Sequence, residues 1–212
     1  MIRLGIAMAA FLIGTATADA QDAATSAADI GTAEMAETAD GSALKGTPLP
    51  FNLGGAFSLV DQNGMPRTEV DPAGNLQLLF FGYANCREIC SAVLPQMAGV
   101  AQDLAQRGMV VTPVFITVDP KRDTVASLGP ALQVYGPDFV GLTGDDAALQ
   151  VAYRAFAIDS SVVFEDPFRG PVYAHGSFLY LLDADGKFLT VIPPILSDEK
   201  VVDLIASFAS AG

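Results

Sequence analysis

The stretch Leu76-Gln77-Leu78-Leu79-Phe80-Phe81-Gly82-Tyr83-Ala84-Asn85-Cys86-Arg87-Glu88-Ile89-Cys90 decides the fold. Its first six residues are apolar apart from Gln77, the pattern of a strand buried on both faces. The run ends at Gly82, and two cysteines four positions apart follow at once. Downstream, Leu94, Met97, Val100, Ala101 and Leu104 recur at helical spacing and predict a helix over 94–106, with Gly108 as its stop. Residues 110–118 predict another buried strand, closed by Asp119-Pro120. The cysteines therefore stand between a buried strand and a helix start.

Outward from this unit, Asp123-Thr124 offers a cap for a helix running to about residue 135, with Pro130 as a break or kink. Residues 139–142 predict a short edge strand, and 145–155 a helix. The stretch 158–173, rich in Phe, Asp and Pro, predicts a long loop ahead of His175. Strands over 177–182 and 188–192 are joined by the tight turn Asp183-Ala184-Asp185-Gly186. Ser197 caps a last helix through Ile205 and Phe208, with Asp198 and Glu199 at its positive end. Upstream, strands over 57–60 and 67–70 flank the hairpin signal Asp61-Gln62-Asn63-Gly64. A β-α-β half followed by a β-β-α half predicts an α/β protein, a thioredoxin-like fold with an added N-terminal β-hairpin.

The 212-residue chain carries 24 acidic and 11 basic side chains, a formal net charge of −13. That balance excludes nucleic-acid binding, which needs a positive surface to displace counterions from phosphate, and docking on anionic lipid. It suits a soluble acidic surface, a basic protein partner or a cationic ligand. Residues 1–20 read as a secretory signal: Arg3, a short apolar stretch over 4–13, then Ala18-Asp19-Ala20 before a cleavage expected ahead of Gln21. The expected location is the periplasm, the alternative being an uncleaved N-terminal anchor facing the periplasm. Residues 21–47 are Ala-rich and acidic with few large apolar residues, and predict a flexible linker. The folded domain is expected over 48–212.

The chain has two cysteines, Cys86 and Cys90, and one histidine, His175. In an exported protein the plain reading of a cysteine pair is a structural disulfide. A bridge closing so short a loop removes little chain entropy, however. Four residues is just over one helical turn, so both sulfurs can face one way. Helix-terminal amides and Arg87 favour thiolate, which is both nucleophile and metal ligand. The spacing is one residue longer than the Cys-x-x-Cys of common thiol oxidoreductases, and two thiolates suit a soft ion, Cu(I) or zinc. A lone histidine reads either as a packing residue or as a ligand. Asp119, Arg122 and Asp123, just past a strand's C-terminal end, read either as a cap and internal ion pair or as functional residues.

Over most of residues 52–210 the chain resembles the Sco/SenC copper-binding proteins. The resemblance is carried by Gly54-Gly55-Ala56-Phe57 with Leu59 and Asp61; by the segment from Phe80 to Cys86; by Val118-Asp119-Pro120-Lys121-Arg122-Asp123-Thr124; by Gly141-Leu142-Thr143-Gly144; and by His175 ahead of Ser177-Phe178-Leu179-Tyr180-Leu181-Leu182-Asp183. It implies copper, Cu(I) or Cu(II), bound by Cys86, Cys90 and His175. It also implies a role in assembling the binuclear copper centre of cytochrome c oxidase, by copper transfer, by reduction of the target cysteines, or both. Partners implied are cytochrome c oxidase subunit II or another copper-receiving protein, and a copper donor protein, with the chain acting as a monomeric metallochaperone rather than an enzyme. The chain departs from the family where Arg87 and Ser91 replace prolines after the cysteines and Ala174 replaces an aspartate before the histidine. The alternative function is a metal-independent periplasmic thiol-disulfide oxidoreductase with Cys86 and Cys90 as its redox pair and no need of His175. A peroxiredoxin-type peroxidase is a weaker third, because no Thr stands in the segment just before Cys86.

Overall fold

The computed structural model describes residues 53–86 and 89–209. The expected signal and linker, and Arg87, lie outside the described residues. In chain order the elements are β1 (Ser58–Asp61), β2 (Pro66–Thr68), β3 (Leu76–Gly82), α1 (Cys90–Gln106), β4 (Val111–Thr117), α2 (Val125–Gln133), β5 (Val140–Thr143), α3 (Asp146–Ala155), β6 (Val162–Asp166), β7 (Gly170–Tyr173), β8 (Leu179–Leu182), β9 (Phe188–Ile192) and α4 (Asp198–Ala209). Seven strands form one sheet in the order β2-β1-β5-β4-β3-β8-β9, and β6 pairs only with β7. The β5-β4-β3 pairs are parallel, while β8 runs antiparallel to β3 and to β9. This is the thioredoxin-like α/β arrangement, with the β1–β2 hairpin added at one edge.

β3 lies inside the sheet and is buried on both faces, as its composition requires. Side chains alternate along a strand. Phe81 meets Tyr153 of α3, Phe156 and Tyr180, while Phe80 and the bare Cα of Gly82 face the side where Cys90 sits. The helix after it buries Cys90, Val93, Leu94, Met97, Val100 and Leu104, one stripe at helical spacing. It begins at Cys90, four residues before the start expected from sequence. Pro95 stands inside the helix.

Two expectations are corrected. Residues 139–142 were expected to form an edge strand, but β5 is internal, because β1 pairs with it through Val60 opposite Thr143 and Asp61 opposite Leu142. That pairing joins residues some eighty positions apart and leaves no local signal. The expected long loop over 158–173 is the β6–β7 hairpin. Its turn is set by Asp166 Oδ1, which accepts from the amides of Phe168 and Arg169 at 2.9 Å each, and by Gly170 at φ 79°. Val162, Val163 and Phe164 of β6 are all exposed, so no alternation marks the strand in the sequence. Among the described residues no helix is long and apolar enough to cross a membrane.

Candidate metal centre

Three limbs of the chain meet at one point. Cys86 follows β3 in a turn closed by its own amide donating to the Tyr83 carbonyl at 2.9 Å. Cys90 is the first residue of α1. His175 lies between β7 and β8. His175 Nε2 stands 3.8 Å from Cys86 Sγ and 3.8 Å from Cys90 Sγ. All three residues are buried, at 7%, 2% and 7% exposure, and the two cysteines are not joined in a disulfide.

The donor set fits a single ion. The three ligand atoms lie within 4.8 Å of one another, so one ion could be held by all three, and two sulfurs with an imidazole nitrogen make a donor set for a soft ion. Among the described residues no other cluster of three His, Cys, Asp or Glu side chains converges this way.

The imidazole is oriented by packing. Phe80 and Tyr83 meet it edge-on at 5.8 and 5.6 Å between ring centres. Its Nδ1 is buried and has no hydrogen-bond partner among the described residues. With Ala174 as its chain neighbour, no carboxylate stands beside it in sequence. The Cys90 thiol is pushed well above its ordinary range, first by its hydrogen bond with Cys86 and then by burial, which outweigh the backbone amides that favour thiolate. The helix-start amides are legible in the sequence, whereas the burial comes from the fold.

The turn after β4 lies beside the site. Asp119 and Asp123 are buried there. Asp123 Oδ2 accepts from the Ala84 amide at 2.9 Å and from Thr117 Oγ1 at 2.7 Å. Burial raises the Asp123 carboxyl above its ordinary range despite these bonds. Arg122 is ion-paired to Asp119 through Nε, and its guanidinium lies 5.6 Å from the centre of the Tyr83 ring. Thr124 and Ser127 form a reciprocal cap at the start of α2, so the capping and ion-pair reading of this stretch holds. Phe80, Tyr83 and Tyr173 were not foreseen as site residues. The first two stand in the strand exit leading to Cys86, and their aromatic character was the available signal.

A thioredoxin-like sheet with two thiols and an imidazole converging at the strand exit defines a class: a thioredoxin-fold protein with a donor set for a soft metal ion. The chain belongs to the SCO1/SenC family, whose profile matches residues 45–210. It is 39% identical over 139 residues to an SCO2-like protein of Rickettsia conorii, covering 65% of this chain and 67% of the relative. It is 35% identical over 159 residues to the mitochondrial SCO2 homolog of Mus musculus, covering 74% of this chain and 62% of that one. Among solved structures, yeast Sco1 with copper bound superposes with a TM-score of 0.69 at 29% identity, over 76% of this chain and 91% of that one. Bradyrhizobium japonicum ScoI with copper bound gives 0.65 at 29% identity, over 73% and 98%.

Proposed function

We propose that this protein binds copper through Cys86, Cys90 and His175 and serves assembly of the binuclear copper centre of cytochrome c oxidase. The observation that carries the reading is the placement of His175 Nε2 at 3.8 Å from both sulfurs in a buried pocket. Copper-bound yeast and Bradyrhizobium relatives of the same fold support it. Two thiolates select a soft ion, and the imidazole nitrogen lets the site accept Cu(II) as well as Cu(I). Each thiol must lose its proton to become a ligand, so loading releases protons. Copper is cargo here, received from a donor protein and passed to subunit II or another copper-receiving protein.

The rest of the chain fits this role. Residues 1–20 act as an export signal and 21–47 as a linker, which places the domain over 48–212 in the periplasm, soluble or held by its N-terminus. The chain acts as a monomer. A second reading, thiol-disulfide exchange by Cys86 and Cys90, is favoured by the hydrogen bond between these two reduced cysteines. The deciding experiment loads the reduced protein with copper anaerobically and measures stoichiometry and affinity beside His175→Ala. One ion per chain, held more weakly by the variant, is expected. Equal binding by both proteins refutes the three-ligand site and favours the exchange reading.

A further inference from the structure

We propose that the turn after β4, residues Asp119, Arg122 and Asp123, is a positioning hub that holds two limbs of the metal centre in register. Asp123 fixes the cysteine limb: its Oδ2 accepts the Ala84 amide at 2.9 Å, two residues before Cys86. Thr117 Oγ1 donates to the same oxygen at 2.7 Å and ties it to the end of β4. Asp119 and Arg122 fix the histidine limb. Tyr173 Oη donates to Asp119 Oδ1 at 3.1 Å, two residues before His175.

Arg122 reaches further along the same limb. Its Nη1 donates to the Arg169 carbonyl and its Nη2 to the Pro171 carbonyl, the latter at 2.9 Å, so the guanidinium grips the β6–β7 hairpin by its backbone. Gly170, between those carbonyls, has φ 79°, and a Cβ there would stand 3.1 Å from Arg122 Nη1. The hairpin belongs to a separate two-stranded sheet and leaves Val162, Val163, Phe164 and Phe168 exposed. Apart from Tyr173, which packs against the core and meets the Tyr83 ring at 5.5 Å, the hairpin is placed by polar bonds to the hub. A planar fork that bonds two carbonyls and a carboxylate at once needs arginine, since lysine offers only a point charge.

The inference rests on the copper reading for one of its two tests and stands apart from it for the other. Amide exchange in the copper-free, reduced protein reads the hub alone. Arg122→Ala is expected to speed exchange across the β6–β7 hairpin by roughly tenfold or more, with α1 and β3 unchanged, as befits a local opening. Unchanged hairpin exchange overturns the proposal whether or not the protein binds copper.

The second test is a double-mutant cycle on Cu(II) affinity and on the nitrogen signature in its electron paramagnetic resonance spectrum. If Arg122 acts through His175, Arg122→Ala weakens Cu(II) binding and blurs the nitrogen signature in wild type, yet adds nothing in the His175→Ala background. Equal losses in both backgrounds mean a merely structural role and overturn it. Because Arg122→Ala leaves Asp119 buried without its cation and threatens folding, Tyr173→Phe is measured alongside. That variant keeps the ion pair, removes one hydroxyl, and is expected to show the same pattern at smaller amplitude. Arg122→Lys is expected to rescue folding but not the nitrogen signature.

Discussion

The missing side chain of Gly82 makes the room in which the Cys90 sulfur sits, and Gly82→Ala tests this directly. A Cβ at Gly82 would stand 2.9 Å from Cys90 Sγ, 2.9 Å from Phe80 Cε1 and 3.2 Å from Phe115 Cε2. The backbone imposes no penalty of its own, since Gly82 is not among the residues with positive φ. To regain an ordinary contact of about 3.5 Å the sulfur must retreat by about 0.6 Å. Ligand distances in a metal site tolerate roughly 0.2 Å, so the displaced sulfur is out of reach unless α1 moves with it. Overpacking a filled core costs about 1–3 kcal/mol, against a gain of about 0.4–1 kcal/mol from the stiffer unfolded chain. The reduced, copper-free variant should therefore lose about 1–2 kcal/mol in urea unfolding, and its copper affinity should fall by about 10–100-fold, the range for changes beside a ligand. Gly129→Ala is the control. Its nearest neighbour is Gln62 Cγ at 3.8 Å, and it lies inside α2. It should stabilise by up to about 1 kcal/mol and leave copper binding alone. Wild-type stability and copper affinity in Gly82→Ala would refute the claim that this glycine is there for the sulfur.

Other outcomes follow from the same geometry. Copper bound only to the native state should raise the stability of the reduced protein by about 4 kcal/mol at a thousandfold excess over the dissociation constant. Cys86→Ser or Cys90→Ser should abolish most of that gain, and an unchanged copper-induced melting shift in either variant removes that cysteine from the site. His175→Ala should weaken Cu(II) more than Cu(I), because two thiolates alone hold the soft ion while Cu(II) gains more from nitrogen. The Cys86–Cys90 midpoint potential should hardly move in that variant; a large shift would show that the histidine serves the thiols instead. The Cys90 thiol is raised above its ordinary value, so it is protonated in the copper-free protein at neutral pH and its proton leaves on loading. Affinity should then climb with pH by about tenfold per unit for each proton displaced, and a flat profile between about pH 6 and about pH 8 would show a thiolate already present.

The parts of the fold written in local pattern were legible. The apolar run of β3, the stripe on α1 and the turn at Asp183 to Gly186 each carry their structure in consecutive residues, and their expected and observed spans agree to within a few positions. So did the meeting of Cys86, Cys90 and His175, although there the resemblance supplied what spacing alone could not, because 85 residues separate Cys90 from His175. What failed was non-local. β5 became internal through pairing with a distant hairpin, and β6–β7 stayed hidden because its apolar residues face solvent. The upward push on the Cys90 thiol depends on burial and a neighbouring sulfur, which no sequence window reports.

The three proposed ligands differ in what holds them. Cys90 belongs to a 17-residue helix with five further buried side chains, so its position is set by the core. Cys86 depends on one turn and on the Ala84 amide held by Asp123. His175 has no hydrogen bond on Nδ1 among the described residues, and its approach is set by two aromatic edges and by the hairpin that precedes it. That hairpin leaves Val162, Val163, Phe164 and Phe168 exposed, and few buried apolar contacts mean low local stability. Where the resemblance leads one to expect an aspartate beside the histidine, this chain has Ala174, and the work of aiming the ring passes to Phe80, Tyr83 and the contacts that tether Tyr173. Cys90 is thus set by the core and Cys86 by its turn, while the imidazole is met on one side by the Phe80 and Tyr83 rings and is tied through Tyr173 to the Asp119–Arg122 turn.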